Sequence, residues 1–563
     1  MKATGSQIII HMLEKQGIDI ITGIPGGANL PLYDALAHSS ITHILARHEQ
    51  GSGFISHGMA RSTGKPAVTF ATSGPGATNL LTAIADARLD SVPLIAITGQ
   101  VPLSMMGSDA FQEVDTYGMS IPITKHTFLV RDARELFSVI PEAFRIATEG
   151  RPGPVLVDVP KDIQKQEIEF NQWPEIRDKK ITEIINKDQV KDIAGIINDS
   201  KKPLIMAGGG IISACSSKSL RELSHTSSIP VVTTLMGLGI MDHNDPLNLG
   251  MPGMHGAPGT NMILNEADLL IALGIRFDDR AICKAEEFCP NAQIIHVDID
   301  KAELGKIRMP HHEVHGDLRG FFKEVLPLLE NQKREDWVTH VLNLKKEKPM
   351  WYDNNDDELH PITIIKEAGK IAPRDAIITT DVGQHQMWAA QWYPVSSPRS
   401  FLTSGGLGTM GFGLPAAIGA ALANPEKSII CFSGDGSILM NIQELATLAD
   451  LQLNVKIILL NNSHLGLVRQ QQEMFFDENY IASKFITSPD FSAIASAFGI
   501  RGCTLSKENT IENLKTFLYE KGPGLIDVPI DAAYNVLPMV PPGSPHYTMI
   551  GGTADDTIRT YRK

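Results

Sequence analysis

Two short stretches of the chain carry hard oxygen donors beside small residues: Ser433-Gly434-Asp435-Gly436-Ser437 and Asn461-Asn462. Each ends an apolar run, Ser428–Phe432 in the first case and Val455–Leu460 in the second, that reads as a buried parallel strand. Residues Ser437 to Leu451 lie between them, rich in helix formers and poor in breakers, and predict a crossover helix. A strand–helix–strand unit places both strand ends on one edge of a sheet, where open α/β sheets take their ligands. Asp435 and Asn462 then converge beside a helix N-terminus, and a carboxylate and an amide oxygen next to backbone donors suit Mg²⁺ carrying a diphosphate. Alone, Gly-Asp-Gly is an ordinary turn with a capping aspartate. The second stretch at its own strand end is what gives it a chemical meaning.

The elements that must position these groups need several cores. A chain of 563 residues is too long for one, and three or four domains are expected. With 43% hydrophobic and 20% charged residues the composition is that of an ordinary soluble protein. The formal net charge of −14 argues against nucleic acid or an anionic membrane as the main partner, though a local pocket can still attract small anions. Five cysteines form no Cys-x-x-Cys pair, too few for a disulfide framework, and Cys431 inside an apolar run reads as a buried thiol. Met1–Gln7 runs into an amphipathic helix pattern ending near Gly17, with no apolar signal core, and no uninterrupted apolar stretch is long enough to span a membrane. A cytoplasmic location is expected.

Three α/β blocks follow: residues 1–165, 190–330 and 360–540, with a polar tail at 541–563. Gln164–Asp192 and Asn331–Glu358 read as charged linkers. The first block closes on the strand Pro154–Pro160; the second carries strands at Pro203–Met206, Ile229–Thr233, Leu269–Leu273 and Ile294–Asp298. The outer blocks share an order of features: Gly58–Arg61, the strand Ala67–Ala71, Ser73-Gly-Pro-Gly76, a helix and Leu94–Ile97 in one; Gly419–Leu422, a strand, Ser433-Gly-Asp-Gly436, a helix and Ile457–Leu460 in the other. Two related sheets are expected.

The paired stretches resemble the metal-diphosphate signature of thiamine-diphosphate enzymes. Arg47-His48-Glu49, Gly58–Arg61 and Thr72–Asn79 resemble the pyrimidine-binding domain of the same superfamily. Over nearly its whole length the chain resembles the acetolactate synthase (acetohydroxyacid synthase) family. The narrower signals are Gly23–Gly27, Asp109–Glu113, Gly150–Pro154, Pro160–Asp162, Gly274–Arg280, Asp381–Met387 and Gly405–Gly411. Several also occur in pyruvate oxidase and glyoxylate carboligase, and Arg276-Phe-Asp-Asp-Arg280 in the middle block favours acetolactate synthase.

That resemblance implies three doubly wound parallel-sheet domains: pyrimidine-binding, central FAD-type and diphosphate-binding. It implies Mg²⁺ on the side chains of Asp435 and Asn462 and the carbonyl of His464. Gly383, Gln384, His385, Gly434, Gly436 and Ser437 would cradle the diphosphate, and Gly408 and Met410 would hold the aminopyrimidine. Glu49 would exchange a proton with pyrimidine N1′, a role that needs a partly desolvated carboxyl; its bland alternative is electrostatics at a helix start. Gly26, Phe111, Gln112 and Lys161 would line the substrate funnel, from the subunit that supplies Glu49. Lys161 and Arg276 are equally consistent with meeting substrate carboxylates or with being surface charges.

Ala207-Gly-Gly-Gly210 is only a weak dinucleotide signal. The resemblance points instead to FAD, used without net redox chemistry, near Arg151, Gly253, Met254, His255, Gly256, Arg276, Asp278, Asp279, Arg280, His296, Asp298, Asp300 and Asp317. The implied activity is decarboxylation of pyruvate and ligation of the two-carbon unit to a second 2-keto acid, giving 2-acetolactate or 2-aceto-2-hydroxybutyrate, the first common step to the branched-chain amino acids. A homodimer or homotetramer with sites between chains is implied, with a possible small regulatory subunit. Where many members carry Trp, this chain has Gln471, which predicts a weaker preference for 2-ketobutyrate. A pyruvate oxidase or glyoxylate carboligase, and a non-catalytic scaffolding paralogue, remain as alternatives, the last disfavoured by intact Glu49, Asp435 and Asn462.

Overall fold

The computed structural model describes residues 1–175, 185–352 and 357–551. Parts of both charged stretches and of the C-terminal tail lie outside these. Three parallel sheets, one per domain, carry the fold. The first orders its strands Thr42–Leu45, Ile20–Gly23, Ala67–Ala71, Leu94–Gln100, Val155–Pro160, His126–Leu129. The middle one runs Val231–Thr233, Pro203–Ala207, Leu269–Leu273, Gln293–Asp298, His312–His315. The third runs Phe401–Leu402, Ile377–Thr380, Ile429–Gly434, Val455–Asn461, Gly524–Pro529, Arg501–Thr504.

Central strands such as Val68, Ile95, Ile430 and Ile458 are apolar on both faces because helices cover each sheet on both sides. Counted within its own domain, the strand order of both outer sheets is 2-1-3-4-6-5, which matches the repeat expected from their turns. Each sheet therefore presents its carboxyl edge at the same strand junctions.

The outer domains pack through two helices, Glu49–Thr63 and Gly413–Ala423. A methyl group on Gly58 would strike the Ala416 carbonyl, and one on Gly419 would strike the carbonyl of Ile55, so small residues set this close crossing. Two local expectations change. The crossover between Asp435 and Asn462 is two helices, Asp435–Ile438 and Glu444–Leu451, because the chain turns at Asn441, whose buried amide donates to the Gly411 carbonyl at 2.8 Å. The stretch Asn331–Glu358 contains the helix Glu335–Glu347, whose Trp337, Val341 and Leu344 form a buried stripe at helical spacing on the middle domain. Residues 541–551 lie against that domain: Asn261 Nδ2 donates to the His546 carbonyl at 3.0 Å, and His546 is buried.

Candidate active site

In the third domain Asp435 begins the short helix after strand Ile429–Gly434, and Asn462 follows strand Val455–Asn461. The two strands pair directly, Gly434 beside Leu460, so the side chains emerge from adjacent strand ends. The Ser463 N–H beside Asn462 donates to Asn461 Oδ1 at 3.2 Å, which shapes the turn after the second strand. Asp435 Oδ2 is buried with no hydrogen-bond partner, and burial pushes the Asp435 carboxyl up to about 7. A dry carboxylate oxygen without a proton donor calls for a cation. Asn462 Nδ2 donates to Gln384 Oε1 at 3.2 Å, and its Oδ1 accepts the His464 N–H at 3.0 Å. Gln384 in turn donates to Gln470 Oε1 at 3.1 Å and to the Tyr534 carbonyl at 2.9 Å. The amide is thereby turned with its oxygen toward the His464 backbone. A carboxylate, an amide oxygen and a carbonyl are hard donors that fit Mg²⁺.

The wall beside this pair is built by Gly383, Gln384 and His385. Gly383 takes a positive φ of 153° to start the helix Gln384–Trp392. Burial pushes His385 down to about 3, so it is neutral, and its Nε2 is buried without a partner. A methyl on Gly434 would lie 2.8 Å from His385 Nδ1, so glycine lets the strand end meet the imidazole. Asp381, at the end of strand Ile377–Thr380, accepts the N–H groups of Gly411 at 2.7 Å and Val382 at 3.0 Å and the hydroxyl of Ser433 at 3.2 Å. Ser437 Oγ donates to the Val382 carbonyl at 2.6 Å. Gly408 has a φ of 70°, which lets the loop Gly405–Gly411 turn back with Met410 half-buried.

In the first domain the turn Thr72–Gly76, at the end of strand Ala67–Ala71, is the hub. Glu49 opens the helix Glu49–Thr63, and Asn79 Nδ2 donates to Glu49 Oε2 at 3.0 Å. A methyl on Gly76 would sit 3.4 Å from Glu49 Oε1, one on Gly26 2.6 Å from Thr72 Cβ, and one on Gly74 2.8 Å from the Gln112 carbonyl. Glu49, Gly26 and Gln112 thus meet around one turn, and neighbouring Phe111 is 87% exposed. Lys161 starts the helix after strand Val155–Pro160 and lines a hollow of about 680 Å³ with Gln164, which donates to the Ala28 carbonyl at 2.8 Å. Asn79 and Gly76, the neighbours of Glu49, belong to the first domain, whereas Asp435 lies in the third.

The residues of the implied FAD site spread along the middle-domain carboxyl edge and the loops facing it, Arg151 from the first domain among them. Arg151 pairs with Glu303 at 2.7 Å and Asp300 at 3.4 Å and donates to Ser91, while Arg276 donates to the Leu89 carbonyl at 3.1 Å. Both arginines hold the first domain to the middle one. Asp298, raised to about 6 by burial, accepts the Asp300 N–H at 2.8 Å. Met254 N–H donates to the Arg280 carbonyl, which closes the loop of Gly253, His255 and Gly256 onto the helix Asp279–Ile282 that Asp278 caps. His255 is buried and pushed down to about 4 by desolvation. His296 Nε2 meets the Ile275 carbonyl at 3.1 Å, its Nδ1 is a buried atom without a partner, and Asp317 caps the helix Leu318–Val325. The run Gly208–Gly210 is spent on close backbone packing: the N–H groups of Gly208 and Gly210 donate to the carbonyls of Leu273 and Gly274.

Sequence reasoning left several of these groups without a role: Asp381, Gln470, Asn79 and Thr72. It also passed over Glu444, buried in the third domain, which accepts the N–H groups of Arg47 and His48 at 3.0 Å each and so anchors the start of the Glu49 helix. Only Asp381, Thr72 and Asn79 stood inside recognisable motifs.

Residues 3–119 match the family described as thiamine pyrophosphate enzyme, N-terminal TPP binding domain; residues 190–325 match its central domain and residues 381–528 its C-terminal TPP binding domain. The chain is 55% identical to the acetolactate synthase isozyme 1 large subunit of Escherichia coli (strain K12), over 97% of this chain and 98% of that one. It is 46% identical to the isozyme 2 large subunit of the same organism, over 97% and 99%. Against the acetolactate synthase large subunit of Lactococcus lactis subsp. lactis (strain IL1403) identity is 44%, over 97% and 96%. Matching all three domains and aligned with these relatives almost end to end, the chain belongs to the acetolactate synthase large-subunit family of thiamine pyrophosphate enzymes.

Proposed function

We propose that the protein decarboxylates pyruvate and ligates the two-carbon unit to a second 2-keto acid, giving 2-acetolactate from pyruvate and 2-aceto-2-hydroxybutyrate from 2-ketobutyrate. The observation that carries this is the orphaned, buried Oδ2 of Asp435 beside an Asn462 amide already oriented by Gln384. Asp435, Asn462 and the His464 carbonyl would hold Mg²⁺, and Gly383 to His385 with Gly434 to Ser437 would receive the diphosphate. Thiamine diphosphate, when bound, supplies a carbanion equivalent at its thiazolium C2 and an electron sink for loss of CO₂.

The chain's own part is to place groups and move a proton. Glu49, held by Asn79, exchanges a proton with the aminopyrimidine. Gly408 and Met410 shape the wall behind that ring. Gly26, Phe111, Gln112 and Lys161 bound the approach for the keto acids, with Lys161 and Arg276 available to their carboxylates. As the family resemblance implies, each site would pair Glu49 of one chain with Asp435 of another, in at least a dimer. FAD would lie along the middle-domain carboxyl edge, between Arg151, Arg276, Asp298 and the Gly253–Gly256 loop, without net redox chemistry. The name large subunit borne by the relatives supports a smaller regulatory partner. Domain limits are placed at 1–165, 190–330 and 360–540, followed by the tail 541–563.

The test is acetolactate formation from pyruvate with thiamine diphosphate, Mg²⁺ and FAD added singly and together. Acetolactate that requires thiamine diphosphate and Mg²⁺ supports the proposal. Acetaldehyde as the main product, or flavin bleached by pyruvate, contradicts it.

A further inference from the structure

Two pairs of residues one helical turn apart face each other between two helices of the first domain, at its border with the third. His57 and Arg61 lie on the helix Glu49–Thr63; Asp86 lies in the last turn of the helix Pro75–Leu89, with Asp90 as its C-cap. His57 Nε2 lies 3.2 Å from Asp86 Oδ1, both side chains fully buried, and Arg61 Nη1 lies 3.3 Å from Asp90 Oδ2. The remaining capacity of both carboxylates goes to the third domain. Asp86 Oδ2 accepts the hydroxyls of Thr409, at 2.7 Å, and Ser404. Asp90 accepts the N–H groups of Gly405 at 3.0 Å and Gly406 at 2.7 Å, and Arg61 also donates to the Thr403 carbonyl. The other end of the loop is fixed by Asp381, through the Gly411 N–H. The segment between these anchors holds Leu407, Gly408 and Met410.

Two acids buried this deeply are expensive unless paired, and one of them sits at a helix C-terminus, where a negative charge is disfavoured. Their geometry is that of a clamp. His57, Asp86 and Asp90 lie within metal-ligand distance of one another, but loop donors and Arg61 already occupy Asp86 Oδ2 and both Asp90 oxygens, and Asp86 Oδ1 faces only His57.

We propose that His57–Asp86 and Arg61–Asp90 are positioning pairs that set the Gly405–Gly411 loop against the aminopyrimidine of the cofactor. The proposal rests on the thiamine diphosphate site described above. It separates two parts of cofactor affinity: the diphosphate end, held by Asp435 and its neighbours, and the ring end, held by a loop that the first domain fixes through Asp86.

The test measures binding of Mg²⁺–thiamine diphosphate and of Mg²⁺–pyrophosphate by calorimetry, for the full-length protein and for Thr409→Val, Thr409→Ser and Ser404→Ala. Removing one hydroxyl bonded to a charged carboxylate should weaken thiamine diphosphate binding roughly tenfold or more in Thr409→Val and Ser404→Ala. Thr409→Ser, which keeps the hydroxyl, should stay near wild type, and pyrophosphate binding should be unchanged in all three. Equal thiamine diphosphate affinity in wild type and Thr409→Val overturns the clamp while leaving the proposed function standing. Parallel loss of both ligands overturns it too, since that is general destabilisation. A wild-type protein that binds pyrophosphate but not thiamine diphosphate overturns the clamp and the parent function together.

Discussion

Asn79 donates its amide to Glu49 Oε2 at 3.0 Å, tying the second turn of one helix to the first turn of the helix before it. The acid is thus aimed by a neighbour on a separate element. Glu49→Gln should keep the fold and thiamine diphosphate binding while cutting acetolactate formation by about 10²–10⁴-fold, the span of a lost proton-transfer group. Asn79→Ala should lower the rate by about tenfold, since it removes an orienting bond and leaves the acid in place. Turnover of the Gln variant near that of wild type would remove Glu49 from the proton path.

Gln384 is expected to act on the metal through Asn462. Gln384→Leu should reduce Mg²⁺ affinity about 10–100-fold, the range for partners that orient a ligand, and Asp435→Asn should reduce it further. Chelation should abolish activity and added Mg²⁺ restore it. Metal titration followed by acetolactate production reads all three.

Asp158 provides the clearest pH signature. Its carboxyl is fully buried on strand Val155–Pro160, accepting Thr98 Oγ1 at 2.7 Å and Gln100 Nε2 at 3.1 Å. Burial raises it from 3.8 to about 7. The folded chain holds a proton that the unfolded chain has released, so this group's contribution to stability is lost as pH rises, by about 1.4 kcal/mol per unit from about pH 4 to about pH 7. Asp158→Asn should be stabilised relative to wild type progressively over that interval, with the difference levelling above it. Urea unfolding of both proteins across the range checks this, and a flat difference contradicts it.

Gln471 lies exposed on the helix Gly466–Phe475, while adjacent Gln470 is buried and bonded to Gln384 and the Val536 carbonyl. Gln471→Trp should restore apolar contact for an ethyl group, worth about 1–2 kcal/mol, and raise the ratio of 2-aceto-2-hydroxybutyrate to acetolactate roughly 5–30-fold in competition. An unchanged product ratio would contradict that role.

Much of this was legible in the chain because it depends on local order. Leu269–Leu273 and Ala67–Ala71 are apolar runs ended by turn residues, and Asp435 and Asn462 each follow such a run. What could not be read depends on distant partners. Glu444 finds its role on N–H groups of residues 47 and 48, and Asp86 on hydroxyls of residues 404 and 409. Helix Glu335–Glu347 was hidden because its few apolar residues, Trp337-Val338, Val341-Leu342 and Leu344, stand in a long charged stretch and gain meaning only once a sheet lies beneath them. The break at Asn441 was invisible for the same reason, its amide being spent on Gly411.

The central claim, a site shared between Glu49 of one chain and Asp435 of another, is tested most directly by subunit complementation. Glu49→Gln and Asp435→Ala proteins, each inactive alone, are mixed under conditions that exchange subunits, and acetolactate formation from pyruvate is assayed. Each mixed dimer would hold one intact site and one doubly defective site, so random mixing predicts recovery of about a quarter of wild-type activity. No recovery, with subunit exchange verified, would contradict the account.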